Sequence, residues 1–214
     1  MSYRSVLNYS ETDYIVEKSK FIAHVKPVES EKEAREFIEE IKKKHWNASH
    51  NVPVYIIGDD MNIQKFSDDG EPSGTAAFPV LDMLKKEGMT NLVIVITRYF
   101  GGIKLGKGGL IRAYTQSAKL GLESSRVIDY EQLIKIQIIY EYTYHGKIEN
   151  YINGCEEIFD FNTEFEDKVH KEILILVGNT SITDQIVEIT SGKVEIIEKS
   201  ICYYSILNGK VIGE

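Results

Sequence analysis

The first part of the chain carries apolar residues at both strand-like and helix-like spacings. The apolar run Phe21–Val25 predicts a strand. Ser30 and Glu33, three residues apart, form a capping box in front of apolar side chains that recur at i, i+3, i+4 and i+7. A helix of about four turns is therefore expected here. Its buried face would be made by Ala34, Phe37, Ile38 and Ile41.

The same pattern predicts the elements that follow. In chain order they are strands at Val52–Ile57 and Ile63–Phe66, a helix from Thr75 or Pro79 to Lys86, a strand at Leu92–Ile96, a glycine-rich loop at Gly101–Gly109 and a helix from about Leu110 to Glu123. Pro53 indicates an edge position for its strand, because proline cannot donate to a sheet ladder. The continuous apolar run of Leu92–Ile96 is typical of a strand buried on both faces. The helix before that strand is expected to bury Phe78, Leu81 and Met83 or Leu84.

The second part of the chain has a different order of elements. It predicts a strand at Leu133–Tyr140, a helix at Tyr144–Gly154, strands at Ile158–Phe165 and Ile173–Val177, a helix at Ile182–Ser191 and a strand at Val194–Ile206. This βαββαβ order is the ferredoxin-like one. With the boundary placed within residues 125–131, we predict an α+β protein of two domains, residues 1–127 and 128–214.

Charge is distributed unevenly over these two parts. The chain of 214 residues has a formal net charge of -8, yet residues 1–127 carry 18 Lys and Arg against 17 Asp and Glu. Residues 128–214 carry 7 against 16. Six cations and one carboxylate fall within residues 98–126. An acidic protein of this kind would not coat nucleic acid indiscriminately, but the basic segment suits one anionic group or a short RNA stretch.

The location predicted from the sequence is cytoplasmic, and no membrane contact is expected. The apolar runs are too short to cross a bilayer, and the start of the chain lacks the apolar segment of a secretory signal. Cys155 and Cys202 match no metal-site spacing, and a disulfide between them is not expected.

The glycine-rich segment Gly101–Gly109 follows a buried strand and precedes a helix, as a P-loop does. It is one residue short of a P-loop, and Gly108 stands where the magnesium-binding Ser or Thr would be. Nucleotide hydrolysis is therefore not favoured. Glycines at a helix N-terminus let backbone N–H groups approach an anion, and Arg98 and Arg112 would add contacts to phosphate. The alternative is that the glycines only permit a tight turn, and the composition does not decide between the two.

The acidic segment Ser67–Thr75 holds the carboxylates of Asp68, Asp69 and Glu71. Such a set suits a hard cation or general acid–base chemistry. We favour instead a structural contact of Asp68 or Asp69 with Arg98 or Arg112, so that no metal site is predicted.

Other polar and aromatic residues near these segments have simpler interpretations. Ser73 or Thr75 is expected to cap the helix that follows. Tyr99 and Phe100 suit base stacking, although core packing is the commoner role of such a pair. The histidines and serines form none of the arrangements used in zinc or nucleophilic catalysis.

Two long motifs resemble the IMPACT/YigZ family. They are S-D-D-G-E-P-S-G-T-A at Ser67–Ala76 and R-Y-F-G-G-x-K-L-G-x-G-G-L-x-R-A-Y at Arg98–Tyr114. Lys18–Ala23 and Ala48–Asn51 are also similar to the family, so that the resemblance covers about residues 15–125. The chain departs from the family at Val52-Pro53-Val54, where Cys, an aromatic residue and Ala are usual, and at Ala77-Phe78, where Gly and a basic residue are usual.

The resemblance implies an N-terminal domain with the ribosomal protein S5 domain 2-like fold. It also implies a ferredoxin-like second domain, similar to the terminal domains of elongation factor G. Eukaryotic relatives regulate translation, and bacterial members have been considered binders of nucleic acid or ribosomes without an established reaction. A regulatory role in translation is therefore what the resemblance implies for this chain.

These observations predict a non-catalytic regulator that binds RNA, the ribosome or a protein partner of translation, without a cofactor. The alternative is an enzyme that acts on a phosphorylated small molecule or nucleotide. The predicted binding residues are Asp68, Asp69, Gly70, Glu71, Ser73, Thr75, Arg98, Tyr99, Phe100, Gly101, Gly102, Lys104, Gly106, Gly108, Gly109 and Arg112.

Overall fold

The computed structural model describes residues 2–207 and 210–213. It divides into two compact units, of which the first spans Tyr3–Ile128 and the second begins at Asp129. Both units mix helices and strands, which confirms the predicted α+β class. Within the described residues, no helix is long and apolar enough to cross a membrane.

The first unit is built on an antiparallel sheet with the strand order β2-β3-β6-β4-β5. Its elements are β1 (Tyr3–Val6), β2 (Ser10–Val16), β3 (Ser19–Pro27), α1 (Glu31–Lys44), β4 (His50–Ile57), β5 (Ile63–Phe66), α2 (Ala77–Lys86), β6 (Leu92–Tyr99) and α3 (Gly106–Ser124). The sequence pattern had indicated neither β1 nor β2.

The central strand β6 is buried on both faces, as its continuous apolar run predicts. Val93 and Val95 pack with the apolar face of α1, whereas Leu92, Ile94 and Ile96 pack with α2 and α3. The predicted capping residue of α1 is confirmed, since the Ser30 Oγ accepts a hydrogen bond from the Glu33 N–H at 3.3 Å. Helix α1 thus covers one face of the sheet, and helices α2 and α3 cover the other.

Three details of the first unit differ from the sequence predictions. Pro53 does not mark an edge strand, because β4 lies between β6 and β5. The Pro53 carbonyl accepts from the Ser67 N–H, so the missing proline N–H points toward β5, which pairs with β4 only from Val54 onward. Phe78 is 54% exposed rather than buried, and it packs edge-on against Phe66. Helix α3 begins at Gly106 and not at Leu110, which places three glycines of the expected loop in its first turn.

The second unit contains β7 (Val127–Tyr140) from Asp129 onward, α4 (His145–Gly154), β8 (Ile158–Phe165), β9 (Val169–Leu176), α5 (Thr180–Ile189), β10 (Val194–Leu207) and β11 (Lys210–Gly213). The strands form an antiparallel sheet in the order β11-β10-β7-β9-β8. The apolar faces of α4 and α5 cover one side of it. Cys155 and Cys202 form no disulfide with each other. The predicted βαββαβ order is present, and β11 extends it.

Candidate functional site

The two long motifs meet at a cleft of about 540 Å³ in the first unit. Its volume lies within the range of small-molecule sites. The end of β6, the start of β4, the acidic segment and the first turn of α3 enclose it. The lining residues are Ser49, His50, Glu71, Pro72, Arg98, Phe100, Lys104, Leu105, Gly106, Lys107 and Leu110.

The carboxylate of Glu71 lies at the bottom of this cleft. Its Oε1 atom accepts hydrogen bonds from Arg98 Nη1 at 2.6 Å and from the Tyr114 hydroxyl at 2.8 Å. Glu71 is 7% exposed and Arg98 is 6% exposed, so the ion pair is buried. Burial and the neighbouring Glu71 raise the pKa of Tyr114 far above its ordinary value, so that the phenol stays protonated and donates.

The register of the sheet brings the partners of Arg98 together. On β6, Arg98 pairs with Phe21 of β3 on one side and with His50 of β4 on the other. Side chains directly opposite on neighbouring strands share a face. The guanidinium carbon lies 5.4 Å from the Phe21 ring centroid and 5.5 Å from that of Phe100. Arg98 is therefore held by the two aromatic rings and by Glu71.

Asp68 caps helix α2 and does not pair with an arginine. Its carboxylate accepts hydrogen bonds from the backbone N–H groups of Gly74 at 2.8 Å, Ala76 at 3.3 Å and Ala77 at 2.8 Å. These amides lie at the start of α2, where the helix dipole favours a negative charge. The predicted contact of Asp68 or Asp69 with Arg98 or Arg112 is therefore wrong, since Glu71 is the partner of Arg98 and no ion pair of the described residues joins either aspartate to Arg112. Thr75 bonds to the Pro72 carbonyl instead of capping α2.

Asp69 ties the acidic segment to β4. Its Oδ2 accepts from the Asn51 N–H at 2.6 Å, and its carbonyl oxygen lies 2.7 Å from His50 Nδ1. Because a carbonyl oxygen only accepts hydrogen bonds, His50 Nδ1 is the donor. The other ring nitrogen, Nε2, lies 3.7 Å from Glu71 Oε1. Gly70, with a φ of +87°, lets the chain reverse between Asp69 and Glu71.

The glycines of the second motif have different structural reasons. Gly101 lies against the backbone of Lys18, and a Cβ atom there would overlap it. Gly102 and Gly106 have φ values of +88° and +68°, the left-handed region that favours glycine. Gly108 has neither constraint, because a Cβ there would meet no atom within 4 Å. The tight turn therefore accounts for Gly101, Gly102 and Gly106 but not for Gly108.

Lys104 and Lys107 are exposed cations at the rim of the cleft. No carboxylate of the described residues forms an ion pair with either of them. Phe100 is 49% exposed beside them. Arg112 is also exposed on α3, but it lies outside the cleft lining. The positive charges of Lys104 and Lys107 are thus available to a ligand.

Not all of the sixteen residues predicted for binding line the cleft. Those that do are Glu71, Arg98, Phe100, Lys104 and Gly106. Tyr99 follows Arg98 on β6, and successive strand residues point to opposite faces of a sheet. The Tyr99 side chain therefore points away from the cleft, and its hydroxyl lies 3.0 Å from His45 Nδ1. The other predicted residues, Asp68, Asp69, Gly70, Ser73, Thr75, Gly101, Gly102, Gly108, Gly109 and Arg112, lie in the surrounding turns and helices outside the lining.

The lining also includes residues that the site prediction omitted. They include Ser49, His50, Lys107 and Leu110. Tyr114 is outside the lining, but its hydroxyl donates a hydrogen bond to Glu71. The family-like stretch Ala48–Asn51 was the signal that pointed to Ser49 and His50. The Ser49 Oγ accepts from the Phe100 N–H at 3.1 Å, which fixes the aromatic residue at the rim.

Comparisons with known proteins agree with these motifs. Residues 17–122 match the family model of the Impact N-terminal domain. The chain is 42% identical over 207 residues to the IMPACT family member YvyE of Bacillus subtilis (strain 168), covering 94% of this chain and 93% of the relative. It is 33% identical over 143 residues to the IMPACT family member YigZ of Escherichia coli (strain K12), covering 66% and 70%.

A crystal structure described as that of a hypothetical protein is similar along nearly its whole length. It has a TM-score of 0.57 and 25% sequence identity, and the match covers 93% of this chain and 98% of that one. The identity to YvyE extends over almost the full length of both proteins. The chain therefore belongs to the IMPACT family.

Proposed function

We propose that this protein is a non-catalytic regulator that binds single-stranded RNA, either free or within the translation machinery. The contact surface is the basic rim, defined as Phe100, Lys104 and Lys107, and the exposed Arg112 of α3 would extend it. The observation that carries the proposal is that Lys104 and Lys107 extend into solvent, without carboxylate partners among the described residues, beside a half-exposed aromatic ring. Cations beside a stacking ring are what single-stranded nucleic acid binds.

Charge explains why binding would be confined to this rim. The residues of the cleft lining include three cations, Arg98, Lys104 and Lys107, against the one carboxylate of Glu71. The chain as a whole has a net charge of -8, so most of its surface repels phosphate. A ligand rich in phosphate would therefore be oriented onto the rim, and binding would weaken with salt.

The proposal extends to the two domains and their surroundings. We propose a ribosomal protein S5 domain 2-like fold for residues 1–127 and a ferredoxin-like fold for residues 128–214. The second assignment is supported by the order β10-β7-β9-β8, with both helices on one face. Both folds occur in proteins of translation according to the family resemblance, which supports a cytoplasmic regulator. We propose a protein of the translation machinery as a further ligand of this regulator.

A titration of fluorescently labelled RNA of about 12 nucleotides tests the proposal. We expect the logarithm of the association constant to fall linearly with the logarithm of salt concentration. Lys104→Ala and Lys107→Ala should each reduce that slope by about 0.7, the value for one phosphate contact on a single strand. Lys119→Ala, which removes an exposed lysine of the same helix outside the cleft, is the matched control. Binding that is absent, or insensitive to salt, to both RNA and ribosomes would overturn the proposal.

A second candidate function is an enzyme that acts on a phosphorylated small molecule. The observation that favours it is His50 Nε2, which lies 3.7 Å from Glu71 Oε1 and lines the same cleft. A ligand that binds only the folded state raises stability by about 2.7 kcal/mol at a hundredfold excess over Kd. Thermal-shift measurements with nucleotides and divalent metals, followed by product analysis for ligands that bind, would separate the enzyme from the binding protein.

A further inference from the structure

We infer that the cleft receives the terminal phosphate of a nucleotide, with Arg98 and the first turn of α3 holding the phosphate and Phe100 contacting the base. This inference rests on the proposed function because it takes the nucleotide to be the end of an RNA. Its structural basis adds Arg98 and the first turn of α3, at the bottom of the cleft, to Phe100, Lys104 and Lys107 at the rim, which the two proposals share. The ligand chemistry is a phosphate monoester joined to a planar base.

The guanidinium of Arg98 is only partly used by the protein. Nη1 donates to Glu71, whereas Nε has no hydrogen-bond partner although it is buried. Nη2 has no hydrogen-bond partner among the described residues and is not fully buried, and this 93% buried side chain lines the cleft. A fixed guanidinium with an open donor is suited to phosphate oxygens.

The first turn of α3 brings backbone N–H groups that lack a side-chain cap to the same cleft. The helix has 19 residues, and the structure gives no side-chain cap at Leu105 and no acidic residue in the first turn. Gly106 and Lys107 line the cleft. Uncapped amides and the helix dipole together favour an anion at this position. Arg98 and the α3 amides thus come from two different elements and converge on one space.

The charge and depth of the cleft favour a terminal phosphate over one within a chain. Three cations and one carboxylate give the described lining a formal charge of +2. A phosphate monoester carries about -1.5 to -2 at neutral pH, whereas an internal phosphodiester carries only one negative charge. Arg98 is 6% exposed, so its open donor lies below the surface. A chain end can reach it directly, but an internal phosphate would have to bring both neighbouring nucleosides with it.

The test compares two labelled RNAs of identical sequence, one with a 5′-phosphate and one with a 5′-hydroxyl. We expect the phosphorylated RNA to bind at least about tenfold more tightly, the effect of hydrogen bonds to a charged group. A nucleoside 5′-monophosphate should compete with it, and the corresponding nucleoside should not. A mononucleotide affinity equal to that of the phosphorylated RNA would assign the phosphate to a free nucleotide, and a higher affinity for the RNA would assign it to an RNA end.

The variant Gly108→Asp tests the α3 contribution. A side chain at Gly108 has open space, and acidic residues in a first helical turn stabilise the helix, so the variant should fold. Its carboxylate should occupy the α3 amides and abolish the preference for the 5′-phosphate. Gln116→Glu adds the same charge at an exposed position in the middle of α3 and should retain the preference.

The outcomes separate this inference from the proposed function. Equal binding of both RNAs would overturn the inference and leave RNA binding in place. Binding of the nucleoside monophosphate that is lost in Gly108→Asp, together with no RNA binding, would support the inference and overturn the proposed function. A phosphate preference that survives Gly108→Asp would also contradict the inference, because the phosphate would then lie elsewhere.

Discussion

Removing the carboxylate of Glu71 should destabilise the first unit strongly. Glu71→Ala leaves the buried guanidinium of Arg98 without its counter-charge, which costs about 3–5 kcal/mol when one partner of a buried pair is lost. The Tyr114 hydroxyl also loses its acceptor, a loss of about 1–3 kcal/mol that is not additive with the first because the acceptor is shared. Water can enter from the cleft and solvate both groups. We therefore expect the free energy of unfolding to fall by about 3–4 kcal/mol.

Urea unfolding followed by circular dichroism measures this change by linear extrapolation. Glu71→Gln keeps the shape and one acceptor and should lose less stability than Glu71→Ala. Glu39→Ala, which removes an exposed glutamate from α1, is the control for loss of a carboxylate as such. A cost for Glu71→Ala below about 1 kcal/mol, or equal to that of Glu39→Ala, would show that the ion pair is not a buried one.

Three further predictions concern other buried or capping groups. Asp68→Ala should lower the free energy of unfolding by about 0.5–2 kcal/mol, because α2 loses its cap. An unchanged free energy in urea unfolding would contradict this prediction. Lys171→Met should cost about 1–3 kcal/mol, because the 1% exposed ammonium lies 2.7 Å from Glu149 and 2.9 Å from Asp160; an unchanged midpoint would contradict it. Burial lowers the pKa of His24 to about 4 from the ordinary 6.5, so stability present above pH 6.5 should be lost as the pH falls toward 4. The loss is about 3 kcal/mol, and unfolding measured against pH should show a shallower decline for His24→Asn.

The sequence predicted the elements whose signals are local. The capping residue Ser30 marked the start of α1, and the continuous apolar run identified β6 as a strand buried on both faces. The two family motifs also identified the segments that meet at the cleft. Each of these inferences needs only neighbouring residues, or a motif long enough to be unmistakable.

The choice of carboxylate for Arg98 could not be predicted, because it depends on chain reversal. Asp68 and Glu71 are three residues apart, and the left-handed turn at Gly70 directs one to α2 and the other to β6. Composition alone treats the acids as equivalent. The exposure of Phe78 has a similar cause, since it depends on the phase with which α2 begins.

Hydrogen–deuterium exchange with and without the 5′-phosphorylated RNA would locate the RNA-binding surface. We predict that RNA slows exchange in residues 98–112, which contain the end of β6 and the first turns of α3. Residues 129–207 should exchange as in the free protein. RNA binding that protects only the second unit, and leaves residues 98–112 unchanged, would contradict RNA binding at the basic rim.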